Sequence, residues 1–369
     1  MKNLLKIYNC GKNFFYENFS LIKFAILFFA LNQLFEYLLL LSINKSYTNL
    51  CTWDCDWYSD IVKNGYDTKP FQHPGSDAAN WAFFPILPIF AATLTKLTIL
   101  SAKISLLISS KIFFLLAIFS FIKFCQIYNP TISPIFAAFI ISFNPYSIYG
   151  NSGYTEPIFL FFTCLCFCLI KNKNYLAGSV SGAILSATRF VGVFMFISYV
   201  VLTYKKFSKS DSKNKEKIIL GALIIPIGLG LFMTFLYFKT GDVFAFSHVA
   251  QKSWGRNMQN PLMQIINGLK EGGSVRFYAI TSIVALLLCA TLAFQKHYEL
   301  FLFSLFATII PISTGLTSIA RYVWWQAPLL LTIATLTNYK KIKFFIIPLF
   351  LFSLIMTYIL WTNKSVFMI

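Results

Sequence analysis

Long runs of apolar residues separated by short polar segments dominate the pattern of this chain. A helix needs about 20 apolar residues to cross the ~30 Å hydrocarbon layer of a bilayer, and runs close to that length recur from end to end. About eleven such windows occur, at residues 20–43, 83–100, 104–122, 131–143, 157–170, 176–203, 218–238, 278–294, 298–316, 322–337 and 343–361. Since lipid excludes unpaired backbone groups, the pattern predicts an all-α polytopic membrane protein of about eleven transmembrane helices, within a range of about nine to thirteen.

Lysines gather in the polar segments, and their positions predict which segments face the cytoplasm. The basic segments are 204–217 and 338–343, together with Lys2, Lys6 and Lys12. With these placed inside, simple alternation puts the long polar segments 44–82 and 239–277 outside. The chain 1–369 is then a single integral membrane domain with a first external loop at 44–82, a second at 239–277 and a cytoplasmic basic loop at 204–217.

The topology between residues 100 and 203 stays open at this level. Window 131–143 is short, whereas window 176–203 is long and is interrupted by "SATRFVG". A single helix over 176–203 places segment 144–157 inside, and two half-helices move it outside. The sequence is compatible with both arrangements.

Composition matters mainly for what it excludes. Of the 369 residues, 57% are hydrophobic and 12% are charged, and the net charge is +18. In a soluble protein such a charge would suggest nucleic acid, but lysines concentrated between apolar windows are typical of membrane topology. The expected partner is therefore the lipid bilayer and not nucleic acid. The basic N-terminus has no small-residue cleavage site before its first apolar run, so we expect it to be retained.

Carboxylates and aromatic rings alternate in the first external loop, within "CTWDCDWYSDIVKNGYD" at 51–67. One interpretation is a solvated loop whose tryptophans lie at the membrane interface. The other is a catalytic cleft in which a carboxylate takes a proton from a hydroxyl nucleophile and the rings stack on a sugar. The order of Trp53, Asp54, Asp56, Trp57 and Tyr58 favours the cleft. The same loop also contains Asp60, Asp67, His73 and Asp77, and a disulfide between Cys51 and Cys55 is possible there.

Five motifs in a fixed order carry a resemblance to a known family. They are "WDCDWYSDIVKNGYD" with "NWAFFPILPIF", "FNPYSIYGNSGYTEPIF", "GAILSATRFVGVFMF", "GDVFAFSHVAQKSWGRNMQNPL" and "TSIARYVWWQAPLLL", and they span residues 50 to 331. The chain resembles the mannosyltransferase 2 family of the GPI-anchor pathway and its bacterial relatives. The resemblance implies a GT-C type helical bundle, a polyprenyl- or dolichyl-phosphate mannose donor, and inverting transfer to an acceptor hydroxyl. It also implies that Asp54 is the base, although Asp56 departs from the smaller residue expected in the pattern and leaves both as catalytic candidates.

Two arginines at apolar segments are candidates for the donor phosphate. Arg189 and Arg321 lie where a charge is costly, and the planar guanidinium fits phosphate oxygens. The alternative is that each side chain snorkels to the membrane interface. Tyr322 follows Arg321 in its motif and is a further substrate-binding candidate. Glu156 is either a site carboxylate or an ordinary acid at the start of a helix.

The second external loop adds three further candidates. The resemblance makes His248 and Gln251 candidates for sugar or acceptor hydroxyls, and Trp254 lies in the same loop. Because no two of the 3 histidines have the spacing of metal ligands, the sequence predicts no bound metal. It predicts no other cofactor.

These patterns together predict a membrane mannosyltransferase or related glycosyltransferase. It would use a polyprenyl-phosphate sugar and a glycolipid or other hydroxyl acceptor, in a bacterial inner membrane with the site facing the periplasm or exterior. A nucleotide-sugar donor is not expected, since no nucleotide-binding loop occurs. A transporter or flippase of a lipid-linked sugar is the alternative, although the internal repeat typical of many transporters is not visible. A scaffold protein would leave the ordered polar motifs unexplained.

Overall fold

The computed structural model describes residues 2–70 and 78–368, with side chains from residue 18 onward. These residues form helices and no strands, so the all-α prediction is confirmed. The α-helices are α1 Lys2–Ser42, α2 Asp54–Asn64, α3 Ile86–Leu97, α4 Ala102–Tyr128, α5 Pro134–Phe143, α6 Glu156–Lys171, α7 Tyr175–Ser186, α8 Met195–Ser208, α9 Ser212–Ile224, α10 Ile227–Thr240, α11 Ala245–Trp254, α12 Pro261–Lys270, α13 Gly273–Phe294, α14 Tyr298–Thr314, α15 Ile319–Trp324, α16 Ala327–Leu336 and α17 Lys340–Thr362.

Six helical stretches in the described part of the chain are long and apolar enough to cross a membrane. They are Asn18–Ser42, Ala102–Tyr128, Phe190–Ser208, Ser212–Thr240, Gly273–Phe294 and Lys340–Thr362. Shorter apolar helices are Ile86–Leu97, Pro134–Phe143, Tyr175–Ser186, Tyr298–Thr314 and Ala327–Leu336. This set is typical of a multi-pass integral membrane protein. The count of about eleven spans and the GT-C arrangement stay predictions.

The turns between helices collect at two opposite ends of the bundle. At one end, which we call the site end, Tyr154 donates to the carbonyl of Thr52 at 3.0 Å, and the ring of Trp57 contacts that of Trp254. The first and second long polar segments therefore meet there. At the other end, the basic end, Asn129 donates to Thr335 at 3.1 Å, and Lys171 pairs with Glu299 at 3.1 Å.

The structure distinguishes between the two arrangements that the sequence leaves open for the middle of the chain. Window 176–203 contains two helices, since α7 ends at Ser186 and α8 begins at Met195 after a 3₁₀ turn at Phe190–Phe194. Segment 144–157 lies at the site end, because Tyr154 contacts the first polar segment. Simple alternation, which placed this segment inside, is therefore wrong for it.

Helix α3 explains why the simple alternation fails. It has 12 residues, or about 18 Å of helix, which is too short to cross the ~30 Å hydrocarbon layer. It packs antiparallel to the first turns of α4, where Thr95 donates to Ser105 at 2.9 Å and the rings of Phe90 and Phe113 lie 4.8 Å apart. The turn between α3 and α4 lies at the site end, since Lys103 pairs with Asp56. Window 83–100, which the sequence predicted to be a transmembrane helix, therefore does not cross the bundle.

Small residues allow the close contact between α7 and α10. A side chain at Gly228 would lie within 1.8 Å of the carbonyl oxygen of Ala183, so α10 can approach α7 only because this position has none. Ser186 reinforces the same contact by donating to the carbonyl of Ile225 at 2.7 Å. Small residues and hydroxyl groups of this kind are the usual means by which helices associate within lipid.

Candidate functional site

Asp54 is the first residue of α2, and a tight covalent turn places it. Cys51 and Cys55 form a disulfide, the pair that the sequence left open. Between them, Trp53 adopts a φ of 53°, which is uncommon for a residue other than glycine. The disulfide and the unusual backbone of Trp53 together fix where the chain enters α2. Segment 51–67, read as a loop in the sequence, is therefore largely a helix.

Tyr154 holds this turn against the rest of the bundle. Its hydroxyl donates to the carbonyl of Thr52 at 3.0 Å and accepts from the backbone N–H of Asp54 at 3.2 Å. Tyr154 is buried, and its ring contacts those of Tyr149 and Trp361. Helix α2 thus begins at a point fixed by a side chain from the segment that precedes Glu156.

The two catalytic candidates point in different directions. Residues two apart on an α-helix lie about 200° apart around its axis. Asp54 faces Arg321, whereas Asp56 pairs with Lys103 at 2.6 Å, and the side chain of Asp56 is 54% exposed. Of the two carboxylates, only that of Asp54 lies in the cluster of charged residues described next.

Arg321 is the centre of that cluster. Its Nη1 donates to Oδ2 of Asp54 at 2.6 Å, and its Nη2 donates to the hydroxyl of Tyr322 at 3.2 Å. Its Nε lies 3.6 Å from Oε1 of Glu156. The guanidinium also lies over the rings of Tyr149, Tyr154 and Tyr322 at 5.7, 5.4 and 5.0 Å from their centroids. Arg321 therefore joins the first polar segment, the start of α6 and the turn before α16.

Glu156 lies between two guanidinium groups. The same Oε1 accepts from Nη1 of Arg189 at 3.1 Å, and the side chain of Glu156 is 1% exposed. Its second oxygen, Oε2, is buried and has no hydrogen-bond partner among the described residues. Arg189 also lies 4.2 Å from the centroid of the Tyr322 ring. One buried carboxylate thus holds two cations side by side, with an acceptor oxygen unused.

The charges in the cluster perturb the pKa values of their neighbours. Burial would lower the pKa of Arg321, but the carboxylates of Asp54 and Glu156 raise it well above its usual value, so the guanidinium stays charged. Burial would raise the pKa of Tyr322, but the positive charges of Arg321, Arg189 and Arg256 lower it to about 8. Tyr322 is therefore a hydroxyl that titrates close to neutral pH beside the cations.

Aromatic rings line the side of α2 that faces the second polar segment. Trp57 stacks on Phe83 with centroids 5.6 Å apart, and Trp254 packs edge-on against both. Tyr58 packs against Phe83. Burial and the negative charges of Asp54 and Glu156 raise the pKa of Tyr58, so its hydroxyl stays protonated. Trp53 turns the other way and contacts Trp361.

The hydrogen bonds and ion pairs of the remaining sequence candidates are made to residues outside the charged cluster. His248 pairs with Asp242 at 2.6 Å on an exposed face of the second segment, and Gln251 donates to Ser247 at 3.4 Å. Asp60 accepts from Asn64 and Asn80, and Asp67 accepts from the backbone N–H of Asn80, so these two acids organise the first segment. His73 and Asp77 lie outside the described residues.

Three residues of the site were not among the sequence candidates. Tyr149 and Tyr154 are two of 19 tyrosines, and nothing in their spacing marks them. Arg256 donates to the carbonyls of Gly315 and Thr317, on the turn before α15, at 3.4 and 3.1 Å. Its position among polar residues of the second segment gave one usable signal, an arginine in a motif with Trp254.

Comparison with protein-family models, curated proteins and solved structures gives no match to this chain. The site geometry therefore carries the functional argument.

Proposed function

We propose that this protein is a membrane glycosyltransferase that moves a sugar from a polyprenyl-phosphate donor to an acceptor hydroxyl in an inverting reaction. The observation that carries the proposal is the cluster of Asp54, Glu156, Arg189 and Arg321 at the site end, beside the rings of Trp57 and Trp254. It supplies a partly exposed carboxylate, two adjacent cations and aromatic surfaces in one place. Mannose is the sugar that the sequence resemblance implies.

In this proposal, the arginines bind the donor phosphate. A polyprenyl-phosphate leaving group gains negative charge as its bond to the sugar breaks, and fixed cations stabilise that charge most where water is excluded. Glu156 holds Arg189 and Arg321 on one oxygen, so both guanidinium groups are oriented before the donor arrives. Arg256 makes contact with backbone carbonyls only, among the described residues, and adds a third positive charge near Tyr322.

Asp54 is the proposed base. It accepts the proton of the acceptor hydroxyl while the acceptor oxygen attacks the anomeric carbon from the face opposite the phosphate. The bond between that carbon and the phosphate oxygen breaks, and the electron pair leaves with the polyprenyl phosphate. The ion pair of Asp54 with Arg321 must loosen for this, and a phosphate that engages Arg321 provides the competing partner.

The disulfide supports placing the site on the non-cytoplasmic side. Disulfides persist in oxidising compartments, and the bond between Cys51 and Cys55 lies beside Asp54. The lysine-rich turns lie at the opposite end of the bundle, which fits the positive-inside pattern. A location in a bacterial inner membrane with the site facing outward follows from the resemblance and agrees with both observations.

The test uses the purified protein in sealed vesicles with polyprenyl-phosphate mannose labelled in the sugar, and an extract of membrane lipids as acceptor. The proposal predicts labelled product together with release of unlabelled polyprenyl phosphate. The anomeric configuration of the sugar in the product should be opposite to that in the donor. Movement of intact donor across the bilayer, without cleavage of the sugar–phosphate bond, would contradict it and support a transporter or flippase.

A further inference from the structure

A second polar site lies on the side of the bundle where α1 meets α4. A pocket of about 380 Å³ opens there, lined by Gln33, Glu36, Tyr37, Leu40, Leu41, Lys45, Tyr47 and Lys111. None of these residues belongs to the charged cluster of Asp54, Glu156, Arg189 and Arg321. A volume of this size lies within the range of small-molecule sites.

The inner wall of the pocket is a built polar network. Glu36 has a side chain that is 3% exposed, and it pairs with Lys111 and accepts from the hydroxyl of Tyr358 at 2.9 Å. Gln33 accepts from Lys111 and donates to Asn151 at 2.9 Å. Charged residues within a membrane-spanning helix are costly and usually mark a functional site. This network fixes Lys111 in place, since two of the three N–H donors of its ammonium group have acceptors in Gln33 and Glu36.

The outer wall of the pocket carries a second cation, Lys45. Lys45 follows the end of α1, and its side chain forms no ion pair with any residue that the structure describes. Tyr47 lies beneath Lys111, with the ammonium group 4.6 Å from the ring centroid. Since the charge of Glu36 balances that of Lys111, the lining has a net charge of one positive unit, which comes from Lys45.

The position of the pocket defines how a ligand would reach it. Glu36 lies six residues before the end of α1 at Ser42, or about 9 Å along the helix, so the pocket extends from the rim of the bilayer into it. Tyr37 and Leu41 on its open side are 60% and 59% exposed, on the face of α1 that lipid would cover. A ligand that enters from this side comes from the bilayer, where phosphate is the common anionic group of the lipid head groups.

We propose that this pocket binds the head group of an anionic lipid phosphodiester. Its single negative charge would pair with Lys45 and accept a hydrogen bond from Lys111, while its chains lie along Tyr37 and Leu41. A glycerophospholipid of the bilayer and a polyprenyl-phosphate sugar both have this chemistry. The site does not depend on the proposed transfer reaction, since its residues are separate from those of the charged cluster.

Binding to the delipidated protein in detergent tests the site. Phosphatidylglycerol and polyprenyl-phosphate mannose are titrated separately, with zwitterionic phosphatidylcholine as the reference, and bound lipid is counted by native mass spectrometry. One surface lysine contributes about 1 kcal/mol to attraction of an anionic lipid, which is about fivefold in affinity. Lys45→Ala should weaken binding of the anionic lipid about fivefold, and Lys45→Glu should weaken it further. The matched changes Lys239→Ala and Lys239→Glu, at an exposed lysine on α10, should leave binding unchanged.

The outcomes distinguish a bilayer lipid from a lipid-linked sugar as the ligand, and they can contradict the proposed site. A Lys45 effect on phosphatidylglycerol identifies a bilayer lipid, and an effect on polyprenyl-phosphate mannose alone identifies a second position for the lipid-linked sugar. Equal binding by wild type, Lys45→Ala and Lys45→Glu, or equal preference for phosphatidylcholine, would contradict the proposal. Because the readout is binding, it stands apart from any failure of sugar transfer.

Discussion

Arg321 and Asp54, which are 267 positions apart in the chain, are joined by a hydrogen bond of 2.6 Å between Nη1 and Oδ2. Arg321 lies in a helix of 6 residues before α16, and Asp54 begins α2 beside the disulfide. The contact therefore brings the polar turn before α16 onto the first polar segment. In the proposed reaction, this contact also keeps Asp54 from acting as the base until the donor phosphate binds the guanidinium of Arg321.

Arg321→Lys should reduce transfer strongly, although the substitution keeps the positive charge. A lysine keeps the positive charge but cannot contact Asp54, Glu156 and Tyr322 at the same time with a planar group. Hydrogen bonds to charged groups contribute about 1.5–3 kcal/mol each, so loss of one should lower kcat/KM for the donor by roughly 10- to 150-fold. Steady-state kinetics with labelled donor measures this. A kcat/KM within a factor of two of wild type would remove Arg321 from the phosphate site.

Glu156→Gln should destabilise the protein. It would leave Arg189 without the carboxylate that pairs with it, in surroundings where Glu156 is 1% exposed. Removing one partner of a buried ion pair costs about 3–5 kcal/mol. The midpoint of thermal unfolding in detergent should fall clearly. The control is Glu216→Gln, at an exposed position of α9, which should change stability by less than about 0.5 kcal/mol. Equal midpoints for the two variants would show that the buried carboxylate is not needed to hold the arginines.

Replacing both Cys51 and Cys55 with serine should lower activity with little loss of fold. The disulfide closes the turn in which Trp53 has a positive φ and from which Asp54 projects. A displacement of about 1 Å in a reacting group can cost about 100-fold in rate, so we expect a fall of roughly 10- to 100-fold in kcat. The control variant, Cys289→Ala, changes a buried free cysteine of α13. Full activity of the double serine variant would mean that the hydroxyl of Tyr154 fixes the turn unaided.

Transfer should fall as the pH rises through about 8. The pKa of Tyr322 is lowered to about 8, so above that pH its oxygen becomes negative and pairs with the guanidinium groups that the donor phosphate needs. Below that pH the neutral hydroxyl leaves them available. Tyr322→Phe should remove the alkaline limb from the pH profile of kcat/KM, at a reduced plateau since the bond to Arg321 is lost. An alkaline limb that persists unchanged in Tyr322→Phe would assign it to another group.

The sequence located the main members of the charged cluster because charges in apolar surroundings are conspicuous. Arg189, Arg321 and Glu156 each stood alone beside an apolar run, and Asp54 lay in a dense polar motif. Their mutual contacts could not be predicted from the sequence, since the four segments that carry them are brought together only by packing. These segments are α2, the start of α6, the turn after α7 and α15. Tyr154 was missed because a buried tyrosine has no distinctive pattern in a chain with 19 of them.

Other features could not be predicted because they depend on where short helices lie. Window 83–100 has the hydropathy of a span, yet α3 has 12 residues and lies along α4. The resemblance favoured Asp54 but left Asp56 as a second catalytic candidate, and α2 places the two about 200° apart on a helix. His248 and Gln251 shared a motif with Trp254, but only Trp254 contacts the rings beside the charged cluster.

The most direct test of the central claim compares Asp54→Asn with Asp56→Asn in the transfer of labelled mannose from its polyprenyl phosphate to membrane lipids. The two changes are chemically identical, and only Asp54 lies in the charged cluster. A general base contributes about 10²- to 10⁴-fold, so Asp54→Asn should lose transfer by that factor while still binding donor, and Asp56→Asn should stay close to wild type. Normal transfer by Asp54→Asn, or a loss confined to Asp56→Asn, would contradict the assignment of Asp54 as the base.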